Sequence, residues 1–282
     1  SAAQGTGLTN YNIVYVANTL TVNKATLTYT ATAANSIYGA TPSVNAGSIS
    51  GFVNNETAGV LTGTMLFSTT ATATSNVGSY AVNGSGYSSG NYDFAQAAGN
   101  ATALTVGKAT LTYTATAANS FYGSTPSVNA GTVTGYVNGQ NQATATTGTL
   151  LFSTTASGTS NVGSYAITGS GLSATNYDFV QAAGNTTALT IDPKTLTITA
   201  DARNTTYGTA LVLGTTGFTK VGLVNSDTVT DVTLKHGANT TVPATQGAGT
   251  YANELIASAA QGTGLTNYNI VYVANTLTVN KA

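Results

Sequence analysis

Ser1–Ala25 reads SAAQGTGLTNYNIVYVANTLTVNKA, and Ser258–Ala282 repeats it letter for letter. The chain returns to its own beginning after 257 residues. A self-contained enzyme has no reason to do so, whereas a window on a longer tandem array does. Internal repetition is therefore settled before any single residue is weighed. Working outward from this segment, KATLTYTATA begins at Lys24 and again at Lys108, and KTLTITADAR begins at Lys194. The expected division is 1–23 as the tail of a preceding module, then β modules at 24–107, 108–193 and 194–280, with 281–282 opening the next.

The local pattern is β. In Leu27-Thr-Tyr-Thr-Ala-Thr-Ala the apolar residues take odd positions and threonines the even ones. A period of two places one set on each face of a strand. Gly, Asn and Ser clusters punctuate the chain every ten residues or so, which suits a sandwich or similar all-β module. No sustained helical period occurs. The one candidate helical turn follows Asn54 and its equivalent Asn225, since Asn is a fair N-cap. Val22 to Leu27, Val106 to Leu111 and Ile191 to Leu196 are each five apart. An odd spacing turns the apolar face over, so each joint is expected to be short and fixed, with Pro193 stiffening one of them. The expectation is an all-β chain of small sandwich-like or β-grasp-like modules, joined end to end in an elongated rod.

Only 5% of the residues are charged, and the net charge is −1. An ordinary domain carries about 25% charged residues, and a near-neutral surface favours association. Seven scattered Lys and Arg residues argue against nucleic acid, which needs clustered cations. Without cysteine there is neither disulfide nor thiol chemistry. No apolar run of 18 residues is present, so insertion into a membrane as a helix is not expected.

Landmarks recur in register. They are Tyr38-Gly39, Tyr122-Gly123 and Tyr207-Gly208; then Gly51-Phe-Val-Asn, Gly135-Tyr-Val-Asn and Gly222-Leu-Val-Asn, with Glu56 or Asp227 following. V-G-x-Y strands, N-Y strands and a closing L-T-[VI] complete the set. This ordered series resembles the MBG-type repeat (YGX variety) found in tandem in large bacterial haemagglutinin-like adhesins. The resemblance implies small, mostly β modules of secreted, cell-surface or biofilm-associated proteins, and no catalysis.

Catalysis requires a base, a nucleophile or a paired acid within reach. His236, the one histidine, sits in a turn-like context. Asp227, Asp231 and Glu254 could hold calcium only if brought together, because that ion takes six to eight oxygens; solvated carboxylates are the plainer reading. Tyr38, Tyr80 and Tyr92 recur at strand positions and are expected in the core. Tyr87 and Tyr136 lack tyrosine counterparts, which makes them the better candidates for exposed contacts with a sugar or protein. Lys24 or Lys108 with Asp93 or Asp178 could form an internal crosslink, although a lysine at a joint needs no such reason. Thr28, Thr30 and Thr32 could line a hydroxyl array, but packing against other chains is simpler. No catalytic, metal or cofactor residue is assigned.

These readings point to a structural repeat segment of a long extracellular bacterial adhesin or filament at the cell surface. The alternative is an adhesive module for a glycan or host protein. Self-association is the expected partnership, including possible donation of residues 1–23 as a strand to another copy.

Overall fold

The computed structural model describes residues 2–282, with 48% of the chain in strands and 8% in helix. Two compact units are present, one up to Lys108 and the other from Ala109 to Ala282.

The first unit contains β1 (Ala25–Ala31), β2 (Ala34–Ile37), β3 (Gly47–Ser50), β4 (Thr62–Ser68), β5 (Gly78–Tyr80), β6 (Asn83–Ser88), β7 (Tyr92–Gln96) and β8 (Leu104–Gly107). They form two mixed sheets, β3-β1-β7 and β2-β8-β5, and the ribbon β4-β6. β1 runs antiparallel to β3 and parallel to β7, while β2 runs parallel to β8. Period two is visible in β1, where Leu27 and Tyr29 are buried between threonines that are not. Tyr29 organises the core. Its ring meets Phe67 edge-on at 6.2 Å and stacks on Phe94 at 5.6 Å. Gly84 lies directly beneath it, and a Cβ there would come within 2.4 Å of the Tyr29 Cβ. Thr28 and Thr30 face Ser50 and Ser48 across the ladder, so these hydroxyls belong to one short strand pair rather than to an extended array.

The second unit holds two further repeats. In the first of them, β9 (Ala109–Ala115), β10 (Ala118–Phe121), β11 (Gly131–Thr134), β12 (Thr147–Ser153), β13 (Gly163–Tyr165), β14 (Thr168–Ser173), β15 (Tyr177–Gln181) and β16 (Leu189–Asp192) reproduce the topology of β1 to β8. The last repeat comprises β17 (Lys194–Ala200), β18 (Arg203–Thr206), β19 (Leu211–Val212), β20 (Phe218–Val221), β21 (Thr228–His236), β22 (Thr241–Val242), β23 (Gly249–Thr263), β24 (Tyr268–Val273) and β25 (Asn275–Asn280). It keeps the sheet β20-β17-β24 but fuses the other sheet and the ribbon into β18-β25-β23-β21. The fifteen-residue β23 makes this possible, because it runs on where the sister repeats break into two strands.

Asn100 and Asn185, both buried, stand in for a missing strand partner. The Asn100 Oδ1 accepts the Ala31 N–H at 2.8 Å, and its Nδ2 donates to the Tyr29 carbonyl at 3.0 Å. Asn185 repeats this with Ala115 and Tyr113. The sequence signal was AAGN at 97–100 and 182–185.

The helical turn expected after Asn54 is a 3-10 turn at Ala58–Val60, beginning beyond Thr57, and after Asn225 the next element is the strand β21 instead. Asn54 and Asn55 have φ of 55° and 58°, and Asn225 and Ser226 have 56° and 64°. The Glu56 N–H closes onto the Val53 carbonyl and the Asp227 N–H onto that of Val224, each at 3.0 Å. Two consecutive left-handed residues inside such a bond make a type I′ turn. Asn tolerates that conformation better than most residues, which is why it recurs here. The α-helical turn among the described residues is instead Gln142–Ala145, capped by Asn141.

The two copies of the 25-residue segment differ in structure. At the C-terminus it supplies the end of β23 and all of β24 and β25. β24 pairs parallel with β17, and β25 pairs with β18 and β23. At the N-terminus the described residues before Ala25 form only a 3-10 turn, Leu8–Asn10. Leu20 is 87% exposed and Val22 84%, while their twins Leu277 and Val279 are 0% and 3% exposed.

Candidate functional site

Within the second unit, the meeting of consecutive repeats centres on one tyrosine. The Tyr122 N–H donates to the Asp192 carbonyl at 2.9 Å, which fixes the residue at the end of β16. Its side chain then enters the following repeat. The ring meets Tyr268 edge-on at 5.5 Å, and the hydroxyl donates to Asp227 Oδ2 at 2.9 Å. The Tyr268 hydroxyl donates to the same oxygen at 2.8 Å and accepts the Val224 N–H at 2.9 Å. One carboxylate thus gathers two phenols, a charge-assisted arrangement stronger than a neutral bond. Burial, with the Asp227 carboxylate adding to it, pushes the Tyr268 hydroxyl up to about 12.

Two asparagines flank this socket. Asn225 Nδ2 donates to the Gly158 carbonyl at 2.9 Å. Asn267 accepts the Val162 N–H at 2.9 Å and donates to Asn161 Oδ1 at 3.0 Å. Gly123, with φ of 84°, packs against Val224 so closely that a Cβ would sit 2.6 Å from the valine Cγ2. The Tyr-Gly pair and the Gly-x-Val-Asn turn are therefore two halves of one joint, contributed by successive repeats.

The first unit builds the same socket from its own residues. The Tyr92 hydroxyl donates to Glu56 Oε2 at 2.6 Å and accepts the Val53 N–H at 3.1 Å. Its bond to the Glu56 carboxylate raises the Tyr92 hydroxyl above the ordinary tyrosine value. A cleft of about 380 Å³ opens there, lined by Val53, Asn54, Glu56 and Tyr92 together with Lys24. The middle repeat replaces the acid with Gln140, which accepts from Tyr177 at 2.6 Å.

The other candidate residues fall elsewhere. His236 Nε2 lies 3.2 Å from Glu254 Oε2, with the ring edge-on to Tyr251. Asp231 accepts from Thr215 Oγ1 at 3.0 Å. Asp227, Asp231 and Glu254 thus share no partner. Among the described residues no group of three or more His, Asp or Glu side chains could hold a metal ion. Lys24 and Asp93 approach to 3.6 Å, but their side chains are 46% and 71% exposed. That is an ordinary solvated ion pair, worth below about 1 kcal/mol.

Tyr87 and Tyr136 are not the free contacts their lack of counterparts suggested. Tyr87 stacks on Tyr29 with an interplanar angle of 9°. Tyr136 packs edge-on against Tyr177 at 6.1 Å. The Tyr136 hydroxyl is buried without a hydrogen-bond partner, and burial raises it above the ordinary tyrosine value. Phe52 makes the same contact with Tyr92 in the first unit. Tyr136→Phe is accordingly expected to stabilise the chain by about 1 kcal/mol, since it removes an uncompensated desolvation cost and keeps the ring. Chemical denaturation would show the midpoint rising; a fall would mean that the hydroxyl has a partner in solution.

Each half of the joint was visible in the sequence as a recurring landmark. That the halves meet across successive repeats was not visible, because no single repeat contains the pair.

A family model for the MBG domain (YGX type) matches residues 27–102, 111–187 and 196–278. No curated protein and no solved structure matches the chain significantly.

Proposed function

The chain belongs to the MBG domain family of the YGX type, and on that premise we propose that it is a structural repeat segment of a long extracellular bacterial adhesin or filament. MBG repeats usually belong to cell-surface proteins, and such a tandem series is consistent with a segment of a large one. Its role is to space and bear load rather than to catalyse. The observation that carries this reading is the joint between the second and third repeats. It is made of the residues that define the repeat itself, so every added repeat brings the means of fixing the next. No described helix is long and apolar enough to cross a membrane. The adhesive alternative has weaker support, because Tyr87 and Tyr136 are turned towards the cores of their own repeats.

The test is immunogold labelling of intact cells of the organism that encodes the chain. Label along material projecting from unpermeabilised cells is expected. Label found only after permeabilisation would overturn the proposal.

A further inference from the structure

The first repeat opens on β1 and β2 and closes on β7 and β8, and these two arms lie side by side. β1 runs parallel to β7 from Ala25 opposite Tyr92 to Tyr29 opposite Gln96. β2 runs parallel to β8 from Ala34 opposite Leu104 to Ile37 opposite Gly107. Flanking bonds extend the ladder at both ends. The Ala25 N–H donates to the Asn91 carbonyl at 3.1 Å, and the Tyr38 N–H to that of Gly107 at 2.8 Å. Between the two pairings the opening arm advances five residues, Tyr29 to Ala34, and the closing arm eight, Gln96 to Leu104. The 3-10 turn Ala98–Thr102 takes up the surplus. Asn100 lies in that turn, so its bonds to Ala31 and Tyr29 fall where the ladder would otherwise lapse.

The second repeat is built alike, with Asn185 in the turn between β15 and β16. In the third the arms keep step, Thr199 facing Val273 and Arg203 facing Leu277. There Asn275 Nδ2 donates to the Ala200 carbonyl at 2.9 Å, between the two pairings.

This topology decides how a repeat meets tension. The chain enters the first repeat at the start of β1 and leaves it at the end of β8, with Lys108 alone before β9. Where the arms run parallel, those two points lie at opposite ends of the ladder. Pulling them apart slides one arm along the other, and the bonds between them must stretch together. Antiparallel arms would put both points at one end, and the bonds would break one after another. We propose that each repeat is a shear clamp: tension along the polypeptide loads the parallel ladder between its opening and closing arms, and Asn100 or Asn185 is the pin that keeps that ladder unbroken. The inference rests on the structural-segment reading for the source of the tension, and on the strand topology for the response to it. Forced unfolding is governed by the unfolding rate, so lifetime under load is the quantity that the clamp sets.

Single-molecule pulling on the full chain tests it. The chain has no cysteine, so handles can be attached at chosen pairs of introduced thiols. Lys24→Cys with Lys108→Cys loads the first repeat in shear. Lys24→Cys with Gly90→Cys places both handles at one end of the β1-β7 pairing, where Ala25 faces Tyr92, and peels it. The repeat is expected to withstand several-fold higher force between 24 and 108 than between 24 and 90. Equal forces in the two directions overturn the clamp. Asn100→Ala, pulled in both directions, tests the pin. It deprives the Ala31 N–H of its partner, so lifetime at constant force between 24 and 108 should shorten roughly ten-fold or more. The change between 24 and 90 should be smaller. Equal shortening in both directions would make Asn100 a general stabiliser and overturn its part as the pin. The comparison of directions keeps Asn100 in place, so it decides the clamp even where Asn100→Ala does not fold. Equal forces would leave the surface-segment reading intact, because a spacer needs no clamp. Label confined to the cell interior would overturn that reading and leave the pulling result standing.

Discussion

Leu277→Asp is expected to unfold the third repeat, whereas Leu20→Asp in the identical 25-residue segment leaves stability unchanged within about 0.5 kcal/mol. Leu277 has no exposure, and Leu20 is almost fully exposed. Truncating a buried leucine alone costs about 2–5 kcal/mol, and a carboxylate in its place adds the cost of burying a charge. Leu277 packs in one core with Leu196, Ile198, Leu234 and Leu255, which come from β17, β21 and β23, so the damage reaches the whole repeat. Hydrogen exchange would read the result directly. Amides from 194 to 280 lose protection in Leu277→Asp and keep it in Leu20→Asp. Equal damage from both substitutions would show that the N-terminal copy is also seated in a core.

Tyr122→Ala is expected to separate the unfolding of the second and third repeats. Removing the ring leaves a hole beside Tyr268 and takes one of two phenols from Asp227. Loss of a buried aromatic costs about 3–5 kcal/mol, here drawn from the joint, where Tyr122 packs with the buried residues of the third repeat. Calorimetry should resolve two transitions where the native unit shows one; a single unshifted transition would mean that the joint carries no coupling. The joint also has a pH signature. The Tyr268 hydroxyl rises in the folded state from 10.0 to about 12. Folding therefore favours the protonated phenol, and its contribution is complete below pH 10. It is lost as pH climbs towards about 12. In the Tyr122→Ala variant this alkaline loss should be smaller, since the site is opened to water.

The family match agrees with what the landmarks implied, and the alternation of Leu27-Thr-Tyr-Thr was enough to read strand and buried face together. The turn after Val53 was misread for a local reason. Asn followed by an acid fits a helix N-cap, but here two left-handed residues close a type I′ turn instead. Tyr87 and Tyr136 were misjudged because absence of a counterpart says nothing about direction, and both rings turn towards aromatics of their own repeat.

The duplicated segment separates what is local from what is not. Gly7 and Gly264 both adopt φ above +70°, and both open a 3-10 turn, at Leu8–Asn10 and Leu265–Asn267. That turn is set by its own residues, since it forms in both copies. The residues after it, NIVYV and TLTV, become strands only at the C-terminus, where β17, β18 and β23 offer their backbone groups. A strand's hydrogen bonds lie with distant neighbours, so alternation can announce which face would be buried but not whether anything will cover it. The sequence by itself determined the repeat, the face that each of its strands would bury and the 3-10 turn of the duplicated segment. Tertiary structure alone decided which of two identical segments is core, and that Tyr122 reaches into the repeat that follows it.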